Sequence, residues 1–206
     1  RNSIFFALPV VFFCLIFGMF IGAIMGFYGG WIDLVMSRLL EVISNFPIFL
    51  LQLTILAFLP QSYLILFVIM VMVGWVPYCR FTRGEFLKLR NQEFVQAEQA
   101  MGNSDLRILV RHMLPNALTP NFTFVPFDVA MTIGALAALS FLGFGEPINV
   151  ASLGELLKQA KDHFQEAWWL AVFPGSLLFL IIFSFSLLNS SLRDLLDPRL
   201  AESKDI

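Results

Sequence analysis

The side chains able to do chemistry are few and scattered in this sequence. Its two histidines, His112 and His163, lie far apart, and neither has a partner at metal-ligand spacing. No H-E-x-x-H occurs, and Asp128, the one ionisable residue well inside an apolar run, cannot form a two-carboxylate dyad alone. There is no Gly-Lys pair, hence no G-x-x-x-x-G-K-[ST] loop to cradle phosphates, so nucleotide chemistry must reside on another polypeptide. Cys14 and Cys79 sit in or beside apolar runs with neither metal nor disulfide spacing, and read as small buried hydrophobes. No catalytic residue, metal site or cofactor is expected. One polar stretch stands apart, "QAEQAMGNSDLRILVRHMLP" at residues 96–115, and the question it poses is what it touches.

The elements that must position this stretch are set by lipid. With 58% hydrophobic residues, 24 Phe and a mean hydropathy of +0.80, the chain exceeds the roughly 45–50% apolar content of soluble domains. It reads as an all-α, polytopic membrane protein. A formal net charge of -2 gives no sign of nucleic-acid binding. A bilayer core of about 30 Å needs about 20 apolar residues in helix, and five candidate spans answer to that, at 4–27, 43–59, 63–78, 119–142 and 168–188. Before the second, Asp33, Arg38 and Glu41 share helical spacing with Leu34, Met36 and Leu40, which predicts a short surface helix, with Pro47 bending the way into the span.

Basic residues stay on the cytoplasmic side of short loops. Arg80, Arg83, Lys88, Arg90, Arg107 and Arg111 fall in one loop and Arg193, Arg199 and Lys204 in the tail, nine of the thirteen basic residues, so both belong inside. Two spans separate them, as a common side requires. The segment 143–167 between those spans has four acids against two lysines and faces out. Counting back puts Arg38 inside and Arg1 outside, so the expectation is at least one further transmembrane helix ahead of residue 1.

Gly18, Gly22 and Gly26 recur every four residues in the first span, and Gly134 with Ala138 repeats the spacing in the fourth. Such spacing lets helix backbones approach closely, either within one subunit or between two. Asp128 follows Pro126 by two residues; a carboxylate there either lines a translocation path or makes a structural hydrogen bond near the membrane edge.

Within the polar stretch, residues 93–101 read as a short helix with Phe94, Ala97 and Met101 on one face, ended by Gly102 in the left-handed conformation. Asn103 or Ser104 can cap a second helix with Leu106, Leu109, Val110 and Met113 as its stripe, and Leu114-Pro115 should stop it. A helix-turn-helix at the cytoplasmic face results, explicable either as a coupling device or as a basic amphipathic anchor.

This stretch resembles the EAA loop of binding-protein-dependent ABC importer permeases, Glu-Ala-Ala, three residues, Gly, nine residues, Ile, one residue, Leu-Pro. Gln96-Ala97-Glu98, Gly102, His112 and Leu114-Pro115 occupy those positions, with Gln96, Glu98 and His112 departing from the pattern. "GFYGGWIDLVMSRLLEVISNFP", "LSFLGFG", "AWWLAVFPG" and "LRDLLDPRL" likewise resemble the dipeptide and oligopeptide branch, in its usual order, and "FLGFGEPINVASLGELL", with Leu153 where a Trp-Gly pair is commoner, resembles the subgroup associated with longer peptides and microcin C-type antibiotics.

The resemblance implies the transmembrane domain of a type I ABC importer, with five spans present of six. It implies ATPase coupling through Gln96, Ala97, Glu98, Ala100, Met101, Gly102, Asp105 and Leu106, with return to the membrane at His112, Leu114 and Pro115. The whole of 1–206 would be one permease domain, with 84–118 as the cytoplasmic coupling loop and 143–167 as the periplasmic segment. Partners implied are a second, different permease chain, separate ATPase subunits and a periplasmic substrate-binding protein, all at the bacterial inner membrane. An ion-coupled secondary transporter or channel subunit is the alternative, and it would call for paired intramembrane charges where only Asp128 is available.

Overall fold

The computed structural model describes residues 1–146 and 152–196. Arg199, Lys204 and residues 147–151 of the 143–167 segment therefore lie outside the described residues. Every element described is helical: α1 (Asn2–Tyr28), α2 (Gly30–Asn45), α3 (Ile48–Phe58), α4 (Tyr63–Leu89), α5 (Glu93–Ala100), α6 (Asp105–Arg107), a π-helical segment (Ile108–Met113), α7 (Leu114–Phe141), α8 (Leu153–Asp162) and α9 (Trp169–Leu196). Lipid enforces this, because a backbone without water must bond within its own segment. Among the described residues four helices are long and apolar enough to cross a membrane, or five if the bent pair α2 and α3 counts as one span.

That bend falls at Pro47 as expected, but residues 43–45 belong to α2, so the apolar helix begins at Ile48 and not at Ile43. α3 has 11 residues, about 16 Å of rise, and meets α2 at 76°. Proline explains the break. Its ring pushes the preceding residue out of the α region, and Phe46 is extended, with φ -82° and ψ 137°. The third span also differs from expectation: α4 passes through Pro77 and continues to Leu89.

The chain divides into two compact units. One comprises Phe12–Phe46 and Val73–Thr123. Here the glycine seam of α1 lies on α4: a Cβ at Gly18 would stand 2.5 Å from the Trp75 carbonyl oxygen, one at Gly22 would strike the Cys79 carbonyl, and one at Gly26 would strike the Phe86 Cβ. Of the two readings of this seam, the one realised is packing within the subunit. Arginines on α4 hold α2 beside it. Arg83 makes a two-pronged ion pair with Asp33, and Arg80 donates to the Leu40 carbonyl at 3.1 Å and the Ser44 hydroxyl at 2.8 Å. A buried polar link joins α4 to α7, with the Thr82 hydroxyl donating to Asn121 Oδ1 at 3.1 Å and the Asn121 amide to the Ala117 carbonyl at 2.7 Å.

The other unit comprises Arg1–Val11, Pro47–Met72 and Phe124–Ile206. Phe6 packs against Tyr63 and Phe67, with ring centroids 6.1 and 6.5 Å apart. Gly154, at the start of α8, sits against the Ala137 carbonyl and Ser140 of α7, too close for any side chain. No part of the apolar window of α9 is buried within the chain, which suits a surface met by lipid or another membrane subunit.

Gly22→Leu is expected to lower the thermal stability of the detergent-solubilised protein by more than the ~1–3 kcal/mol typical of overpacking, since backbone blocks the site. Gly84→Ala, with open space around it, should be neutral or gain about 0.5–1 kcal/mol. A fluorescence melt in which Gly22→Leu matches the parent would contradict the seam.

Candidate functional site

Gly102 has φ 74°, a conformation that favours glycine, and its position closes a complete C-terminal helix cap. The Gly102 N–H donates to the Gln99 carbonyl at 3.0 Å and the Asn103 N–H to the Glu98 carbonyl at 3.2 Å. The chain then turns into α6, with Ser104 at the N-cap position. Tight turn and helix–turn–helix are as expected from the sequence.

The second helix does not stop at Leu114-Pro115, and the reason is geometric. From Ile108 the backbone adopts i→i+5 bonding, and the Leu114 N–H donates to the Leu109 carbonyl. In that wider register Pro115 no longer owes an N–H to Arg111, and its ring is taken up within the helix. Helix therefore runs without interruption from Asp105 to Phe141. The wider turn also moves the apolar stripe. Ile108 and Met113, five apart, are fully buried, Leu109 and Leu114, also five apart, pack at the edge, and the expected stripe members Leu106 and Val110 are exposed.

The root of this structure is a single apolar cluster: Ala23 and Phe27 of α1, Phe86 of α4, Val95 of α5, Ile108 and Met113 of the π segment and Ala117 of α7. On α5 only Val95 is fully buried; Phe94 packs at the edge, whereas Ala97 and Met101, expected on the same face, are exposed. Above the root stands a knob. Gln96, Ala97, Ala100, Met101, Gly102, Asp105, Leu106 and Pro115 are exposed there, and Glu98, His112 and Leu114 half-buried. Met101 and Leu106 are 68% and 71% exposed, an unusual position for large apolar side chains flanking a polar turn. Asp128 belongs to the other unit, half-buried on α7.

Sequence reasoning missed Val95 and Ile108, and offered Asn103 only as a helix cap, whereas its side chain donates to Glu98 Oε2 at 2.5 Å and accepts from Arg107 at 3.0 Å. The five-residue spacing of Ile108 and Met113 was the available signal.

Residues 18–202 match the family described as the binding-protein-dependent transport system inner membrane component. The chain belongs to this family. It is 39% identical over 202 residues to the peptidoglycan transport system permease protein YejE of Agrobacterium fabrum, covering 97% of this chain and 52% of that protein. It is 38% identical to the inner membrane ABC transporter permease protein YejE of Escherichia coli, covering 98% of this chain and 59% of that protein. The oligopeptide transport system permease protein OppC of Bacillus subtilis is 32% identical over 97% of this chain and 66% of its own length. The chain thus spans little more than half the length of the first two. In fold it is similar to a chain of the MetNI methionine ABC transporter, with a TM-score of 0.71, 16% identity, and coverage of 95% of this chain and 93% of that one. It is accordingly a multi-pass protein of the inner membrane with the fold of a type I ABC importer transmembrane domain.

In this inner-membrane component the segment after α7 carries one more unusual group. Burial raises the Glu146 carboxyl above its ordinary range. The Ser152 hydroxyl, which accepts the Glu155 N–H at 3.2 Å, pulls the other way without hydrogen-bonding either carboxylate oxygen. A carboxyl raised in the fold is favoured while protonated, so its contribution is present below the unfolded value and is lost as pH rises through the folded one. Glu146→Gln should therefore melt at a higher temperature than the parent at pH 8, with the gap narrowing toward pH 4; a pH-independent gap would contradict the burial of an ionisable group there.

Proposed function

We propose that this chain is the permease subunit of an ATP-driven importer that moves peptides or peptide-like compounds across the inner membrane by alternating access, coupled through residues 96–115 to separate ATPase subunits. The observation that carries this reading is the exposed knob, with Met101 and Leu106 bare at its crown, on a fully buried root. Large apolar side chains in a polar turn favour a protein partner. A short helix sealed at its C-terminus and rooted in α1, α4 and α7 can carry a push from such a partner into the spans with little lost to bending. The continuous helix from Asp105 to Phe141 makes that connection covalent.

In this reading the chain is non-catalytic. ATP is bound and split on the partner, consistent with the missing phosphate-binding loop. The loop 84–118 lies in the cytoplasm with its basic residues, and 143–167 faces the periplasm, where its helix α8 meets a substrate-binding protein. A second, different permease chain completes the path, and Asp128 lines it. The cargo class is supported by the names of the relatives, which include peptidoglycan and oligopeptide transport.

Met101→Asp and Leu106→Asp should leave the subunit inserted, because neither side chain is packed, yet reduce ATPase co-purification by roughly tenfold, the ~1.4 kcal/mol expected of a lost central apolar contact. Undiminished co-purification from both variants would refute the coupling role. Asp128→Ala at normal membrane levels should lower peptide uptake while the ATPase stays bound; unchanged uptake would remove Asp128 from the path.

A further inference from the structure

Four polar side chains run in an unbroken line across the turn of the knob. His112 Nε2 stands 3.5 Å from Glu98 Oε1, the Asn103 amide donates to Glu98 Oε2 at 2.5 Å, and Arg107 donates to Asn103 Oδ1 at 3.0 Å. Glu98 belongs to α5, Asn103 to the turn, Arg107 to α6 and His112 to the π segment, so the line touches each element of the knob. Glu98 is also the least exposed polar side chain of the contact, at 18%, with His112 at 29%. Both point toward each other, while Ala97, Met101 and Leu106 are exposed. The two positions that depart most in character from the Glu-Ala-Ala and Ile-x-Leu-Pro pattern, Glu98 and His112, are the two that meet.

The turn needs such a link. Gly102 has nothing within 4 Å of where a side chain would begin, and Met101 and Leu106 on either side of it are largely exposed, so apolar packing does little to brace the crown of the knob. The apolar root grips α5 at Val95 and the π segment at Ile108 and Met113, both below the turn. We infer that Glu98, Asn103 and His112 form a polar clasp that fixes the angle between α5 and the π segment, and with it the spacing of Met101 and Leu106 presented to the ATPase. They are positioning residues, and the ATPase contact is made by their neighbours. This rests on the coupling reading above. A knob held in its docking shape spares the partner the cost of ordering it, so loosening the clasp shortens the life of the complex.

The purified full assembly of permeases and ATPases provides the test, read as the rate at which ATPase dissociates in a filter or surface-capture assay. Glu98→Ala, Asn103→Ala and His112→Ile should each speed release by roughly threefold or more, the scale of coupling within one hydrogen-bond network. Glu98→Gln, which keeps the acceptor for Asn103, should recover most of the loss in Glu98→Ala. Glu98→Ala combined with His112→Ile should release no faster than the worse single change, because both break one clasp. Release rates that multiply in the double variant would make the two residues independent contacts and overturn the clasp. So would parent-like release from all three single variants while Met101→Asp still strips the ATPase. If Met101→Asp has no effect, the coupling reading itself falls and takes the clasp with it.

Discussion

Three missing side chains set the geometry on which the rest depends. At Gly18, Gly22 and Gly26 the α1 backbone lies directly on α4, and the last of these contacts is with Phe86. Phe86 is also the fully buried centre of the cluster that receives Val95, Ile108 and Met113. Lipid offers little hydrophobic drive for association, so close approach and dispersion must fix the helix pair. Once the pair is fixed, Phe86 has one position, and the loop folds onto it. The exposed part of the knob is therefore located by residues that never reach the surface.

Charge does a second job in the same unit. Arg80, Arg83 and Arg90 belong to the basic loop whose sidedness the positive-inside rule addresses, and each also makes a specific contact: with the Leu40 carbonyl and Ser44, with Asp33, and with the Phe27 carbonyl at 3.4 Å. A planar guanidinium that donates to several partners at once suits this double use better than an ammonium would. The Asp33 pair is side-on and half sheltered, unlike the exposed pairs Arg38–Glu41 and Lys88–Glu85, which contribute little.

Much of this was legible in the sequence because the signals were local. Gly102 ends α5 because the left-handed conformation favours glycine, and Pro47 breaks α2 from α3 because its ring forbids the preceding helical residue. The failures came where a rule assumed α geometry. Leu114-Pro115 reads as a stop only if residue 115 must donate to residue 111, and the π segment removes that obligation. The expected stripe of Leu106 and Val110 likewise presumed 3.6 residues per turn. Periodicity groups Met101 with Phe94 and Ala97 on one face, but a helix of eight residues anchored at Val95 and Phe94 leaves nearly all of its other sides open. The Glu98–His112 contact could not be read at all, since it depends on how far the wider turn rotates His112.

The π segment has a mechanical corollary. It holds surplus backbone near the start of an otherwise helical rod, next to Pro115, whose position it accommodates. Tightening that stretch by a single residue to ordinary α winding would turn everything C-terminal of it by about 100° about the rod's own axis. Asp128, fifteen residues beyond Met113 on the same helix, would be carried round with α7 itself, with no hinge, no loop and no change in the connection between them.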